Sequence, residues 1–208
     1  MKAIIKTYDT EEEWKDARKG VITGTRAGNI LSKRDGKPLK GYYELLAERI
    51  ATTEEEAPEG ENAMDRGKRL EEVAVEMFNK DTQKKAKHQT NTIVVRSDNK
   101  NIGYSPDALI GKKEDVEVKC LNSADHLKAY ITRTVPDEYI SQILQGFVVN
   151  DSLKTRYMVF FDNRLPKPLD FFYLTIKRED YEEDIKEITE QQNEVSKQIE
   201  DILVTLTF

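Results

Sequence analysis

Apolar and charged positions alternate most clearly at residues 115–121, where Val116 and Val118 interleave with Glu117 and Lys119. Strand side chains point to opposite faces with period two, so Val116 and Val118 suit a core while Glu117 and Lys119 share the other face. Just upstream, the apolar run Ala108-Leu109-Ile110 ends in Gly111-Lys112-Lys113, a turn signal. The two segments predict a hairpin that sets Asp107 beside Glu117. A period of 3.6 governs 62–79, where Leu70, Ala74, Met77 and Phe78 make one apolar stripe. Thr10-Glu11-Glu12-Glu13 is a capping-box pattern and Gly20 a helix stop, which predicts a short helix carrying Trp14 and Arg18. Further helices are predicted over Thr25–Leu31, Tyr42–Ala51 and Ala124–Thr132, and from Pro136-Asp137 to Val149. A long charged helix is predicted over 179–203. Extended segments fall near 90–96, 101–110, 115–121, 155–162 and 169–177, and 52–60 reads as an acidic loop. From residue 62 the order is helix, three strands, helix, strand, which predicts an α/β or α+β domain around one sheet.

Composition narrows the class. The chain has 208 residues and 24.0 kDa, enough for one full core, and is read as a single domain over 1–208. No apolar run approaches the roughly 20 residues that span a bilayer. Met1-Lys2-Ala3-Ile4-Ile5-Lys6 runs directly into charged residues and is not expected to be a signal peptide. A cytoplasmic location and no membrane partner are therefore expected. Cys120 is the sole cysteine, which excludes an internal disulfide, a cysteine-rich zinc site and an iron–sulfur cluster. It reads as a small buried hydrophobe at a strand end. His88 and His126 lie in polar stretches and read as surface histidines. The net charge of −6 argues against general nucleic-acid binding. A carboxylate site that loads cations adds acid to the sequence and loses that charge on loading. The cationic groups Lys33, Arg34, Lys37 and Lys40, and Lys84, Lys85 and Lys87, read singly as solvated loops.

Candidate chemistry centres on the hairpin. Neighbouring carboxylates at Asp107 and Glu117 repel unless a cation lies between them. Oxygen ligands suit Mg2+ or Mn2+, and such an ion can polarise a phosphate and generate hydroxide. The competing reading is a solvated hairpin face with an acid–base pair. Glu71 falls at the margin of the helix stripe: it is either a third metal ligand or a side chain that reaches out to solvent. Tyr139, Gln142 and Gln145 share one helix face. That face either meets a phosphate, a water or the lysine, or is simply the polar side of an amphipathic helix.

Together these pieces resemble the PD-(D/E)xK nuclease superfamily, and within it the phage lambda exonuclease and YqaJ-type viral recombinase family. The likeness covers nearly the whole chain. Trp14 to Thr25 is similar to the family's Trp and Arg followed by Gly-x-Ile-Thr-(Ala/Gly)-(Ser/Thr). Gly67 to Glu71 is similar to its Gly-x-x-x-Glu helix. Ser105-Pro106-Asp107 and Glu117-Val118-Lys119-Cys120 are similar to its Ser-Pro-Asp and Glu-x-Lys-Cys elements, and Tyr139-Ile140-Ser141-Gln142 to its Tyr-x-x-Gln helix. The resemblance implies a restriction-endonuclease-like core, with a central mixed sheet flanked by helices and a long C-terminal helix. It implies that Glu71, Asp107, Glu117 and the Val118 carbonyl hold Mg2+, with Mn2+ substituting. Lys119 would orient or deprotonate the attacking water, with Glu117 and Gln142 as its catalytic partners. Arg18, Thr25 and Ser105 match positions that grip the 5′-terminal phosphate of DNA. One departure stands out: the family's second phosphate-binding arginine aligns at about Asp125, with His126 or Lys128 as substitutes. The implied activity is a 5′-to-3′ exodeoxyribonuclease on double-stranded DNA ends that produces 3′ single-stranded overhangs for phage-type homologous recombination. The resemblance further implies a ring-shaped homotrimer, a single-strand annealing partner, and a phage or prophage origin in a bacterial cell. The alternatives are a restriction- or repair-type endonuclease on the same core, or an inactive nuclease-like DNA-binding module.

Overall fold

The period-two segment forms the middle of the sheet. The computed structural model describes residues 10, 13, 35, 37–50, 63–99 and 102–205. In chain order the strands are β1 (Lys87–His88), β2 (Val94–Val95), β3 (Gly103–Tyr104), β4 (Ala108–Ile110), β5 (Glu114–Lys119), β6 (Thr155–Phe161) and β7 (Phe171–Lys177). The helices are α1 (Lys40–Ile50), α2 (Ala63–Thr82), α3 (Ser123–Thr132), α4 (Asp137–Val149) and α5 (Glu182–Thr205). A 3-10 turn, Arg178–Tyr181, leads into α5.

The main sheet is mixed, in the order β1-β4-β5-β6-β7. β4 and β5 are the predicted antiparallel hairpin, turning at Gly111 with φ +61°, a conformation that favours glycine. β5 and β6 run parallel. A parallel pair needs a long crossover, and α3 and α4 supply it. One face of the sheet is covered by α2, whose Leu70, Ala74, Val75 and Phe78 pack on Val116, Val118, Tyr157 and Val159. The other is covered by α4, through Ile143, Leu144 and Phe147, against Met158, Phe160 and Phe172, with Ile185 of α5 joining them. Tyr43 and Ala47 of α1 pack with Ala124 and Leu127 of α3. The mixed α/β class, the flanking helices and the long C-terminal helix are those expected.

Two expectations need correction. The extended run 101–110 is split at Pro106, which has no N–H to offer a ladder. Its first part, β3, pairs with β2 in a separate two-stranded ribbon, and only β4 joins the main sheet. His126 is not a surface residue: it is fully buried, edge-on to Phe172 at 5.2 Å. Its polar sequence neighbours lie on other faces of α3, while its own face turns inward beside Leu127. The capping box is present, with Glu13 N–H donating to Thr10 Oγ1 at 3.1 Å and Thr10 N–H to Glu13 Oε2 at 3.2 Å. The remainder of that helix with Trp14, the helix at 25–31 and the loop at 52–60 lie outside the described residues. No helix among the described residues is long and apolar enough to cross a membrane.

Candidate active site

The hairpin register brings the acids together. Asp107 N–H donates to the Val116 carbonyl at 3.1 Å, and Ala108 pairs with Val116, so Asp107 stands opposite the Glu117 end of β5. Asp107 Oδ2 then accepts from Val118 N–H at 2.6 Å. Burial, the Glu117 charge and the Glu71 charge push the Asp107 carboxyl up to about 7, against the pull of Val118 N–H and Lys119. Glu117 lies on the α4 face with 2% exposure. Its Oε1 accepts from Lys119 Nζ at 2.7 Å and from Gln142 Nε2 at 2.5 Å. Lys119 Nζ also stands 5.0 Å from the centre of the Tyr139 ring. Gln142 thus finds its partner in Glu117.

Glu71 approaches from α2. It lines a cavity of about 420 Å3 with Asp107, Ser105, Lys68 and His88. Its Oε2 is 3.8 Å from His88 Nε2. A second cavity, about 400 Å3, lies on the α4 side and is lined by Ser105, Glu117, Ser141, Gln142 and Gln145. Ser105 borders both cavities. Glu71 and Asp107 therefore share one space, and Glu117 faces the adjoining one. Among the described residues, no three His, Cys, Asp or Glu side chains are gathered closely enough to hold a metal ion as they lie. As they lie, Glu117 Oε1 accepts from Lys119 and Gln142, and Asp107 Oδ2 accepts from Val118 N–H. In type and charge, the set still fits a hard divalent ion. Its donors are oxygens, and Asp107, raised first by burial and then by the Glu117 and Glu71 charges, is a carboxyl whose ionised form a cation would favour.

Arg18 and Thr25 lie outside the described residues. At the position of the departing arginine, Asp125 instead serves the start of α3: its N–H donates to the Asn122 side chain at 2.9 Å. His126, inside the core, does not reach this surface, whereas Lys128 is exposed. The cationic run at Lys84 is structural in part, since Lys84 Nζ binds Glu114 at 2.7 Å. Cys120 is only partly buried, with its thiol pushed up to about 12, chiefly by burial.

Other residues of the site carried no sequence signal. His88 sits in a two-residue strand too short for any pattern. Arg66 and Arg164 bracket the chain after Lys119. Arg66 donates to the Cys120 carbonyl at 3.1 Å and Arg164 to the Leu121 carbonyl at 2.9 Å, and both bind Asp162. Their partners are distant in sequence, so spacing could not reveal them.

The solved structure of an alkaline exonuclease from Laribacter hongkongensis is similar to this chain, with 26% identity and a TM-score of 0.59 over 93% of this chain and 97% of that one. A structure of the same exonuclease in complex with dAMP gives 27% identity and a TM-score of 0.57 over 92% and 95%. No curated protein sequence matches the chain significantly. Residues 13–152 match the YqaJ-like viral recombinase domain, which is most of the chain and contains the hairpin, Glu71, Lys119 and Gln142. The chain belongs to the YqaJ-like viral recombinase domain family.

Proposed function

We propose that this nuclease is a Mg2+-dependent exodeoxyribonuclease that digests one strand of double-stranded DNA from its 5′ end and leaves 3′ overhangs for recombination. The observation that carries the reading is the hairpin register that sets Asp107 opposite the Glu117 end of β5, with Glu71 lining one cavity with Asp107 and Lys119 bound to Glu117. The likeness to an alkaline exonuclease over almost the whole of both chains supports it.

Glu71, Asp107, Glu117 and the Val118 carbonyl are the residues that would hold divalent ions. Such ions offset charge on the attacking and leaving oxygens of a phosphodiester and lower the pKa of water. The protein's own groups do the rest. Lys119, tethered at 2.7 Å to Glu117, places its Nζ where the ammonium orients the attacking water by donating a hydrogen bond, or where the neutral amine takes the water's proton and becomes the ammonium. Gln142 holds Glu117 Oε1 and so limits where that carboxylate turns. Ser105, exposed where the two cavities meet, offers a hydroxyl to the DNA backbone. Arg18 and Thr25 complete a pocket for the 5′-terminal phosphate, the arginine fork matching phosphate oxygens. The chain works as one nuclease domain in a homotrimer around DNA, with a single-strand annealing protein receiving the 3′ strand.

End-labelled linear duplex and closed circular DNA, each with Mg2+ and with EDTA, provide the test. Loss of the 5′ label from linear DNA in Mg2+ alone, with the circle intact, is the expected result. Linearisation of the circle would replace exonuclease by endonuclease, and digestion in EDTA would remove the metal.

A further inference from the structure

Behind Glu117 lies a buried ionic group that the proposed chemistry leaves unused. Arg156 and Asp115 are both fully buried, on paired positions of β6 and β5. Arg156 Nε donates to Asp115 Oδ1 at 2.8 Å. Its Nη1 donates to two carbonyls of α4, Gln142 at 2.9 Å and Ile143 at 2.6 Å. Its Nη2 is buried, has no hydrogen-bond partner, and stands 3.7 Å from Glu117 Oε2. The Tyr104 ring lies 5.0 Å from the guanidinium. On α4, Gly146 makes the room: a Cβ there would come within 2.5 Å of the guanidinium carbon.

A buried ion pair is a poor stabiliser, because desolvation offsets the attraction, and an apolar pair of like volume often serves stability as well or better. The neighbouring strand positions, Met158 and Phe160, are apolar and fully buried. What the guanidinium adds is direction. Its planar fork fixes several groups at once. One arm holds the turn of α4 that carries Gln142, and another faces the far oxygen of Glu117. The near oxygen of Glu117 is the one that Gln142 and Lys119 bind.

We propose that Arg156, anchored by Asp115, is a positioning residue for the nuclease centre, setting both the Glu117 carboxylate and the rotation of α4 that presents Gln142 to it. This rests on the reading of Glu117, Lys119 and Gln142 as that centre.

The test compares the full-length wild type with Asp115→Leu/Arg156→Met, Arg156→Lys and Lys119→Ala. Turnover and KM on linear duplex, Mn2+ binding by calorimetry and thermal unfolding are measured for each. The double variant is expected to unfold cooperatively near the wild-type temperature, with turnover and Mn2+ affinity each lowered about 10- to 100-fold and KM for DNA unchanged at saturating metal. Arg156→Lys keeps the pair with Asp115 but lacks the fork, and its turnover is expected to fall between the two. A folded double variant with wild-type turnover and Mn2+ affinity overturns the proposal. If the double variant does not fold, Arg156→Lys decides: reduced turnover at unchanged thermal stability supports the positioning role, and wild-type turnover overturns it. Lys119→Ala separates the two levels. Its inactivity beside a fully active double variant removes only the positioning role, whereas its activity removes the centre itself.

Discussion

Lys119 is the residue whose role is most exposed to test. Its ammonium binds Glu117 and rests against Tyr139, so it is held near the carboxylates rather than free in solvent. A group that acts on the water alone affects turnover and leaves ground-state binding intact. Lys119→Ala is expected to lower kcat by about 100-fold or more while DNA affinity by fluorescence anisotropy stays the same. Near-native turnover at saturating Mg2+ and DNA would remove the assignment. Tyr139 stands one step back, its ring centre 5.0 Å from Lys119 Nζ. Tyr139→Phe keeps that ring and should stay near wild type, while Tyr139→Leu should lose about fivefold to thirtyfold in kcat. Equal rates for the two variants would show that the ring does not hold the lysine. For Arg18 the substrate is the probe. Arg18→Ala is expected to slow digestion of 5′-phosphorylated ends far more than of 5′-hydroxyl ends, on duplexes differing only in that phosphate. Slowing both alike would separate Arg18 from the phosphate.

At the scale of elements, α3 shows how a polar residue docks a helix. His126 presents Nε2 to the Leu169 carbonyl at 2.8 Å and sets its ring edge-on to Phe160 and Phe172. Burial holds its pKa below the ordinary 6.5; the Leu169 carbonyl, Asp162 and Asp170 pull the other way without overcoming it. The unfolded chain therefore takes up a proton near pH 6.5 that the folded chain refuses. The stability tied to neutral His126 is fully present above that pH. It is lost as the pH falls through the window down to the lower folded value, by at most about 1.4 kcal/mol per pH unit. Urea denaturation at steps between about pH 7.5 and 5.5 measures the slope. His126→Gln should show a shallower decline over the same window, and an unchanged slope would assign the acid sensitivity to other groups.

For the whole molecule, charge sets a condition on DNA binding. The chain carries a net charge of −6, and Glu71, Asp107 and Glu117 lie where the proposed reaction puts a phosphate. Phosphate and carboxylates repel unless cations lie between them. Duplex affinity is therefore expected to tighten when EDTA is replaced by Ca2+, a hard ion suited to the same oxygen donors. Anisotropy at constant ionic strength reads the difference, and equal affinity in both buffers would place DNA away from the carboxylates.

The hairpin and the central strand were legible in the sequence because both depend on local rules. Gly111 supplies the turn, and period two in β5 turns Val116 and Val118 away from Glu117 and Lys119. Once the hairpin closes, Asp107 has little choice but to lie beside Glu117. The stripe of α2 was legible for the same reason, but the margin position of Glu71 left two readings open, and only the packing of α2 on the sheet puts it in one cavity with Asp107. Alternation tells which side chains share a face, but not what covers it. That α4 lies over β5 with Gln142 reaching Glu117 follows from the crossover between parallel β5 and β6. Arg156 and Asp115 lie 41 residues apart, and their pairing exists only because those two strands adjoin. Each alone would read as a solvent-facing charge. His126 was misread for that reason as well: polar sequence neighbours say nothing of the aromatic rings that β6 and β7 bring to it. Local periodicity thus set the face that Glu117 and Lys119 share and the hairpin that carries Asp107, while the packing of distant elements decided what surrounds them, since burial and counter-charge belong to the whole fold and not to any stretch of chain.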